Sequence, residues 1–399
     1  MGAVNSRAKS LAKSAINTGL TALRFVGLHP INRLKPLTEI AKRVPGVTFE
    51  QILQPEDYDI DEPDYTVNAE GSRYARYVRD VGTHFRTYGA GMAILPNGRF
   101  AFPTGMHGVG GMFPQESNLL LQFPPNHAIP QTFNLFRKPA TTVDDGILLS
   151  IALSVNFYHW LVEIMPRLQL FVDDDRYRHL PIYVAEDLPK FVHDTLETTG
   201  IPADRFIKLP TGYYEAKKLY VPTTLQRIAW PSTTAIRWLR QTFLPKAPAL
   251  APPGERVRLL VSRKDAAERR LVNEDELAKA LEPLGFQVVT LAGRKFVDQI
   301  ALFRNAEIAI GSHGAGFVNM MFAEPDSALI EIVNNVHVGI SGWIISKICG
   351  RKHGYIVGSE HPDGVIVDVD VAVGIVKQAL VDIEAMRSTK SGTPEPIGE

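Results

Sequence analysis

Glu307-Ile308-Ala309-Ile310-Gly311-Ser312-His313-Gly314-Ala315-Gly316-Phe317 is the stretch on which the fold turns. The apolar run at 307–310 predicts a short buried strand, and 318–323 predicts the start of a helix. A glycine-rich turn between a strand and a helix lets the backbone approach a ligand closely. The helix N-terminus behind it offers N–H groups and a positive dipole end to an anion such as a pyrophosphate. An ordinary tight turn explains the glycines as well. The histidine inside the turn and the segments upstream favour the anion site.

Working outward, strands are predicted at 257–261, 286–291, 307–310 and 328–332. Helices are predicted between them, at 273–284 with a capping-box-like Asn273 and Glu276, and at 297–303. This alternation argues for a parallel, right-handed βαβ sheet with its ligand beyond the carboxyl ends of the strands. Ser262-Arg263-Lys264, the glycine turn and Glu331 fall at that edge. Arg263, Lys264, Arg269 and Arg270 gather four cations there, and arginine suits bidentate phosphate contacts. His313 can donate to a phosphate and Glu331 can accept from ribose hydroxyls. A cap role for Asn273 and a strand-end role for Glu331 are the plainer alternatives.

A second α/β stretch precedes it. Strands are predicted at 181–184, 206–209 and 218–221, with helices at 188–199 and 233–243. A hairpin turning at Asn97-Gly98 and a loop at 105–111 are expected earlier. Asn156-Phe157-Tyr158-His159-Trp160-Leu161-Val162-Glu163-Ile164-Met165-Pro166-Arg167-Leu168 reads as a helix capped by Asn156. His159 and Glu163 are i and i+4 and therefore neighbours, with Arg167 a turn later. An imidazole beside a carboxylate suits general-base work, with either group as base. A buried core network of the same three residues is the alternative.

The chain has 399 residues, 45% hydrophobic and 22% charged, with 43 Lys+Arg against 43 Asp+Glu. The charge balance gives no reason to expect nucleic acid as a partner. One cysteine, Cys349, excludes an internal disulfide and a cysteine zinc cluster. No apolar run approaches the ~20 residues that span a bilayer. Residues 1–38 carry no acid and six Lys/Arg residues besides periodic apolar positions, so a basic amphipathic helix touching an anionic membrane surface is expected there. Met1-Gly2 and the residues after it also fit the loose myristoylation pattern, and no signal-peptide apolar core is present. The expected organisation is 1–38 basic segment, 39–83 connector with a solvated acidic run at 56–64, 84–244 first domain, 245–254 Pro-rich linker, 255–388 second domain and 389–399 loose tail. Neither a dinucleotide fingerprint after the first strand, a P-loop, nor a nucleophile elbow occurs.

Three stretches together resemble glycosyltransferase family 61, in its bacterial polysaccharide type. They are Asn156 to Glu163 with Pro166-Arg167-Leu168, Ser262-Arg263-Lys264 with Arg270 to Glu274, and Gly311 to Gly316 with Asn319, Phe322 and Glu331. The resemblance covers about residues 145–335 and leaves the first 85 aside. It implies an α/β, GT-B-like architecture of two facing Rossmann-like domains, here with the basic helical extension. It implies inverting transfer of a sugar from a nucleotide-diphosphate donor, a UDP-sugar, to a hydroxyl of a glycan or lipid-linked glycan acceptor in surface polysaccharide assembly. Glu163 is then the expected base, with His159 competing and Arg167 positioning. Arg263, Arg270, Asn273, His313, Gly314, Ala315, Gly316 and Glu331 are the expected donor residues. No cofactor or obligatory metal is expected. The place of work is expected to be cytoplasmic, on the inner membrane face. A nucleotide-sugar-binding module without turnover, and another α/β enzyme on sugar nucleotides, remain the alternatives.

Overall fold

Val257–Val261 forms the strand its apolar run predicts, and its neighbours set the architecture. In the computed structural model six parallel strands make one sheet. Their order is Phe286–Val289, Val257–Val261, Ala306–Ser312, Ala328–Val333, Lys352–Val357 and Tyr65–Val67. The first five run 2-1-3-4-5 in chain order, a doubly wound arrangement whose direction of growth reverses between Val257–Val261 and Ala306–Ser312. Ligands of such sheets bind outside the carboxyl ends of the strands at that reversal. Ser262 and Arg263 leave one of these strands, and His313 and Gly314 leave the other. The structure describes residues 33–117, 134–150, 153–248, 255–266, 268–336 and 339–391. The expected amphipathic helix before residue 33, most of the 245–254 linker and the end of the tail lie outside them.

A second sheet has the order Phe206–Leu209, Ile182–Ala185, Gly146–Leu148, Gly212–Pro222, Ala90–Phe102 and Thr48–Leu53. Its first four strands are mutually parallel, Ala90–Phe102 runs antiparallel to them, and Thr48–Leu53 pairs antiparallel with Ala90–Phe102 at the edge. The molecule is thus mixed α/β with parallel sheets and several helices. The helices Lys190–Thr199 and Thr233–Phe243 match their periodicity, the first ending at Gly200 in the left-handed conformation and the second capped by Ser232.

The hairpin expected at Asn97-Gly98 is not formed. The chain runs on from Ala90 to Phe102 and pairs in one register with Gly212–Pro222 on both sides of that dipeptide. Asn97 absorbs the local irregularity at φ 50°. A β-carbon on Gly98 would stand 2.6 Å from Leu219 Cβ, so the glycine serves close strand packing rather than a turn. The chain reverses after Phe102, and Met106–Gly108 returns along the same strand where a loop was expected.

The stretch 39–83 contributes an edge strand to each sheet, Thr48–Leu53 to one and Tyr65–Val67 to the other, and then the helix Arg73–Val81. Its acidic run is not all solvated. Asp64 binds Lys347 at 2.5 Å, Lys352 at 2.9 Å and the His353 N–H at 2.8 Å, and these partners hold its carboxyl below the usual range against burial. One apolar core joins the two sheets: Trp160, Leu161, Ile164 and Leu168 belong to the same buried cluster as Phe296, Val318, Phe322 and Ile345.

Candidate active site

The glycine turn begins later than its sequence predicts. Gly311 and Ser312 still belong to the strand, and Ala315–Phe322 is a 3-10 helix. Gly311 is required by close approach: a β-carbon there would stand 2.5 Å from the Val261 carbonyl oxygen. One on Gly314 would overlap the Arg263 guanidinium. Arg263 therefore lies across the turn, with Nη2 donating to the Glu268 carbonyl at 3.1 Å and a buried Nε that has no partner among the described residues. Burial, then Arg269, lowers its pKa. Glu274 shapes the turn before it, accepting from Ser262 Oγ at 2.6 Å and from the Arg263 N–H at 3.3 Å. A cavity of about 130 Å3 at this reversal point is lined by Ser262, Arg263, Ser312, Gly314 and Gly316 among others.

His313 and Glu331 form a pair. Nδ1 of His313 donates to Glu331 Oε1 at 2.6 Å, and Nε2 of His353 donates to Oε2 at 3.0 Å. Glu331 has no exposed surface. Burial works to raise its pKa, but the two imidazoles hold it down to about 2. Both its oxygens face histidines rather than a ligand space, so it orients His313 instead of meeting a ribose. His313 Nε2 points toward Gly339, whose added β-carbon would stand 2.6 Å away.

Asn273 is likewise occupied. Its amide donates to the Val367 carbonyl at 2.8 Å and accepts from the Val367 N–H at 3.1 Å. It makes no side-chain cap to the helix Glu274–Leu281, so the capping box expected from the sequence is absent. Arg270 is exposed, with Nε on the Ala266 carbonyl. Ala315 packs against the large core, and Gly316 lies against Leu291.

The segment after Asn156 is not the α-helix its spacing predicts. His159–Ile164 is a π-helix and Met165–Leu170 a 3-10 helix, with Pro166 near the start of the latter. Such π turns gather at functional sites because the wider turn re-aims side chains. Asn156 still caps, its Oδ1 accepting from the Tyr158 N–H at 2.9 Å. His159 Nδ1 lies 2.8 Å from Glu163 Oε2. The other oxygen, Oε1, accepts from the Ala229 N–H at 2.7 Å, and Ala229 takes φ 63° to present it. Glu163 is 4% exposed, whereas the His159 side chain retains 16%. Arg167 is buried. Nε donates to the Glu163 carbonyl at 3.0 Å and Nη1 to the Pro222 carbonyl at 3.3 Å, tying the π turn to the end of the Gly212–Pro222 strand. Burial lowers its pKa to about 10, against the pull of Glu163.

Phe157 and Phe191 on one side, and Leu291, Arg294 and Gly316 on the other, line one cavity of about 330 Å3. The start of the His159 segment and the glycine turn thus border a common space. His313 lines a larger cleft of about 750 Å3 with Arg269, Arg73, Arg76 and Tyr77. The last three escape a motif-based reading because they lie in the supposed connector. Their signal was there: Ser72 caps a helix on which Arg73, Arg76 and Tyr77 share a face at i, i+3 and i+4. His353 was also missed, since it lies 22 residues from Glu331. Among the described residues no group of three His, Cys, Asp or Glu side chains is arranged to hold a metal.

Residues 157–330 match the family model described as Glycosyltransferase 61. The resemblance carried by the three motifs is borne out: over these residues the chain is similar to glycosyltransferase family 61. The chain is 33% identical over 86 residues to the EGF domain-specific O-linked N-acetylglucosamine transferase of Drosophila melanogaster, covering 21% of this chain and 16% of that protein. It is 37% identical over 100 residues to the beta-1,2-xylosyltransferase XAX1 of Oryza sativa subsp. japonica, covering 25% of this chain and 17% of that protein. The Bos taurus counterpart of the Drosophila protein gives 30% over 88 residues, 21% of this chain and 17% of that protein. The chain spans about a sixth of the length of the curated relatives it matches.

Proposed function

We propose that the protein is an inverting glycosyltransferase that moves a sugar from a nucleotide-diphosphate donor, a UDP-sugar, to a hydroxyl of a glycan or lipid-linked glycan. Surface polysaccharide assembly is the proposed setting. The two α/β units, 84–244 and 255–388, act as the facing halves of a GT-B arrangement. What supports the reading most directly is the 330 Å3 cavity shared by Phe157, two residues before His159, and Gly316 of the glycine turn. It brings the segment that leads into the imidazole–carboxylate pair, and the anion-type turn, to one space.

The base is assigned to His159 in preference to Glu163, because both oxygens of Glu163 are already engaged. Glu163 holds the Nδ1–H tautomer, leaving Nε2 to take the proton of the acceptor hydroxyl. The acceptor oxygen attacks the anomeric carbon as the bond to the diphosphate breaks from the opposite face. The diphosphate departs with the bonding electrons, stabilised by Arg263 and the glycine-turn backbone. Arg167 acts through the Glu163 backbone as a positioning residue. With guanidinium supplying the countercharge, transfer proceeds without an obligatory metal, so rates should survive EDTA.

Residues 1–38 are proposed to hold the protein on the cytoplasmic membrane face. No helix among the described residues is long and apolar enough to cross a membrane. The test is incubation with a panel of nucleotide sugars, following UDP release and the anomeric configuration of the product by NMR. Tight UDP binding without hydrolysis or transfer to any acceptor would sink the enzyme reading, and a product retaining the donor configuration would sink inversion.

A further inference from the structure

We propose that the cleft on the His313 side of the glycine turn binds the anionic group, phosphate or carboxylate, of a carbohydrate acceptor. The proposal rests on the glycosyltransferase reading and names the acceptor's chemistry. The cleft of about 750 Å3 is walled by Arg73, Arg76, Asp80, Arg269 and His313 among others, a size usual for small-ligand sites. Three guanidiniums and an imidazole face one carboxylate, so the cleft favours an anion.

Arg73 and Arg76 are exposed, and neither forms a side-chain ion pair or hydrogen bond among the described residues. Surface arginines normally find a carboxylate or lie out in water. These two stand on a helix fixed in place. Tyr74 Oη donates to the Gly339 carbonyl at 3.1 Å, the Arg73 N–H donates to Asn335 Oδ1 at 2.8 Å, and the Tyr74 ring packs 4.6 Å from that of Tyr355. Their distance from the turn is therefore set by these contacts and by the buried Tyr74 ring rather than by a loose loop.

The third guanidinium, Arg269, takes φ 59° and keeps a buried Nε without a partner among the described residues. A strained non-glycine backbone beside an unmet donor is the kind of cost retained at binding sites. Tyr77 and Val336, 38% and 54% exposed, add a ring and an apolar edge to the same cleft. A sugar ring can lie on such a surface while its charged substituent reaches the arginines. The donor diphosphate is assigned to the cavity where Arg263 crosses Gly314, which shares no lining residue with this cleft. Two separate anion sites let donor and charged acceptor bind together.

The test titrates the full chain with glucose 1-phosphate, glucuronate and neutral glucose, each in the presence of saturating UDP, and measures UDP affinity separately. The variants are Arg73→Ala/Arg76→Ala and Arg263→Ala. Expected is binding of glucose 1-phosphate or glucuronate above that of glucose, weakened about tenfold or more by the double variant with UDP affinity unchanged. Which of the two sugars binds identifies phosphate or carboxylate. Arg263→Ala should weaken UDP and spare the anionic sugar. The proposal is overturned if neither anionic sugar outbinds glucose, if the double variant leaves them unaffected, or if it weakens UDP equally. Failure of the wild type to bind UDP at all would instead sink the glycosyltransferase reading. Arg73 and Arg76 are both surface residues, so the double variant should fold. The charge-conserving control, Arg73→Lys with Arg76→Lys, should recover part of the binding.

Discussion

The guanidinium of Arg263 occupies the space where a β-carbon on Gly314 would stand. Gly314 itself is extended, at φ −170°, so alanine suits its backbone and only the arginine must yield. Gly314→Ala should therefore swing Arg263 away and weaken UDP binding about tenfold, the scale of a lost charge-assisted hydrogen bond, with little change in melting temperature. Gly311→Ala should do the reverse. Its β-carbon meets the Val261 carbonyl at 2.5 Å, which is backbone and cannot swing aside. A loss of about 1–3 kcal/mol in urea unfolding is expected. Wild-type UDP affinity in Gly314→Ala would remove Arg263 from the donor site.

His159 and Glu163 should separate in kinetics. With His159 as base, His159→Ala loses on the order of 10²–10⁴ in transfer rate, and added imidazole restores part of it. Glu163→Gln keeps an acceptor oxygen and should retain a residual rate above that of His159→Ala. A His159→Ala enzyme at wild-type speed, with Glu163→Gln inactive, would return the base role to the carboxylate.

Much of this was legible in the chain. Apolar runs bounded by turn residues locate strands such as Val257–Val261, because a parallel strand buried on both faces needs no alternation. The spacing of His159 and Glu163 brought them together even though the turn is π rather than α, since four residues remain close on either. What the spacing does not carry is occupancy. Asn273 and Glu331 carry suitable groups for a donor, but Val367 and His353, 94 and 22 residues away, claim them. The Asn97-Gly98 hairpin failed for the same reason: pairing with the distant Gly212–Pro222 strand outweighed a local turn signal. Arg73 and Arg76 reach the cleft only through tertiary packing of a segment with no motif.

Acid stability should reveal His107. It is buried, with Nδ1–H on the Gly105 carbonyl at 2.8 Å and Nε2 2.6 Å from Ser117 Oγ. Burial pushes its pKa down from 6.5 to about 4, helped by Arg167 and opposed by the Gly105 carbonyl. The unfolded chain therefore takes up this proton first as pH falls. Stability present above pH 6.5 should be lost between 6.5 and 4, at most on the order of 3 kcal/mol. Urea unfolding of wild type and His107→Asn across that range checks it. The variant starts less stable but should lose this part of the slope, and an unchanged slope would acquit His107.

Glu331 should act in a lower window and by a different route. Its pKa of about 2 lies below the usual 4.5, so its contribution is present above 4.5 and is lost as pH falls toward 2. At neutral pH its part is orientation. Oε1 accepts from His313 Nδ1–H and Oε2 from His353 Nε2–H, which keeps His313 Nε2 toward the cleft. Glu331→Gln preserves the volume but offers one acceptor oxygen and one donor amide. One imidazole must then give up its proton on the facing nitrogen or turn away. Gly342→Ala attacks the same group sterically, since its β-carbon would overlap Glu331 Oε2. Alanine improves the helix Ser341–Ile348 by about 1 kcal/mol, so a net destabilisation in urea would have to come from the displaced carboxylate. Both variants should alter the ring ¹⁵N shifts of His313 and slow transfer with the His159 side untouched. If Glu331→Gln leaves those shifts and the rate as in the wild type, the carboxylate does not orient His313.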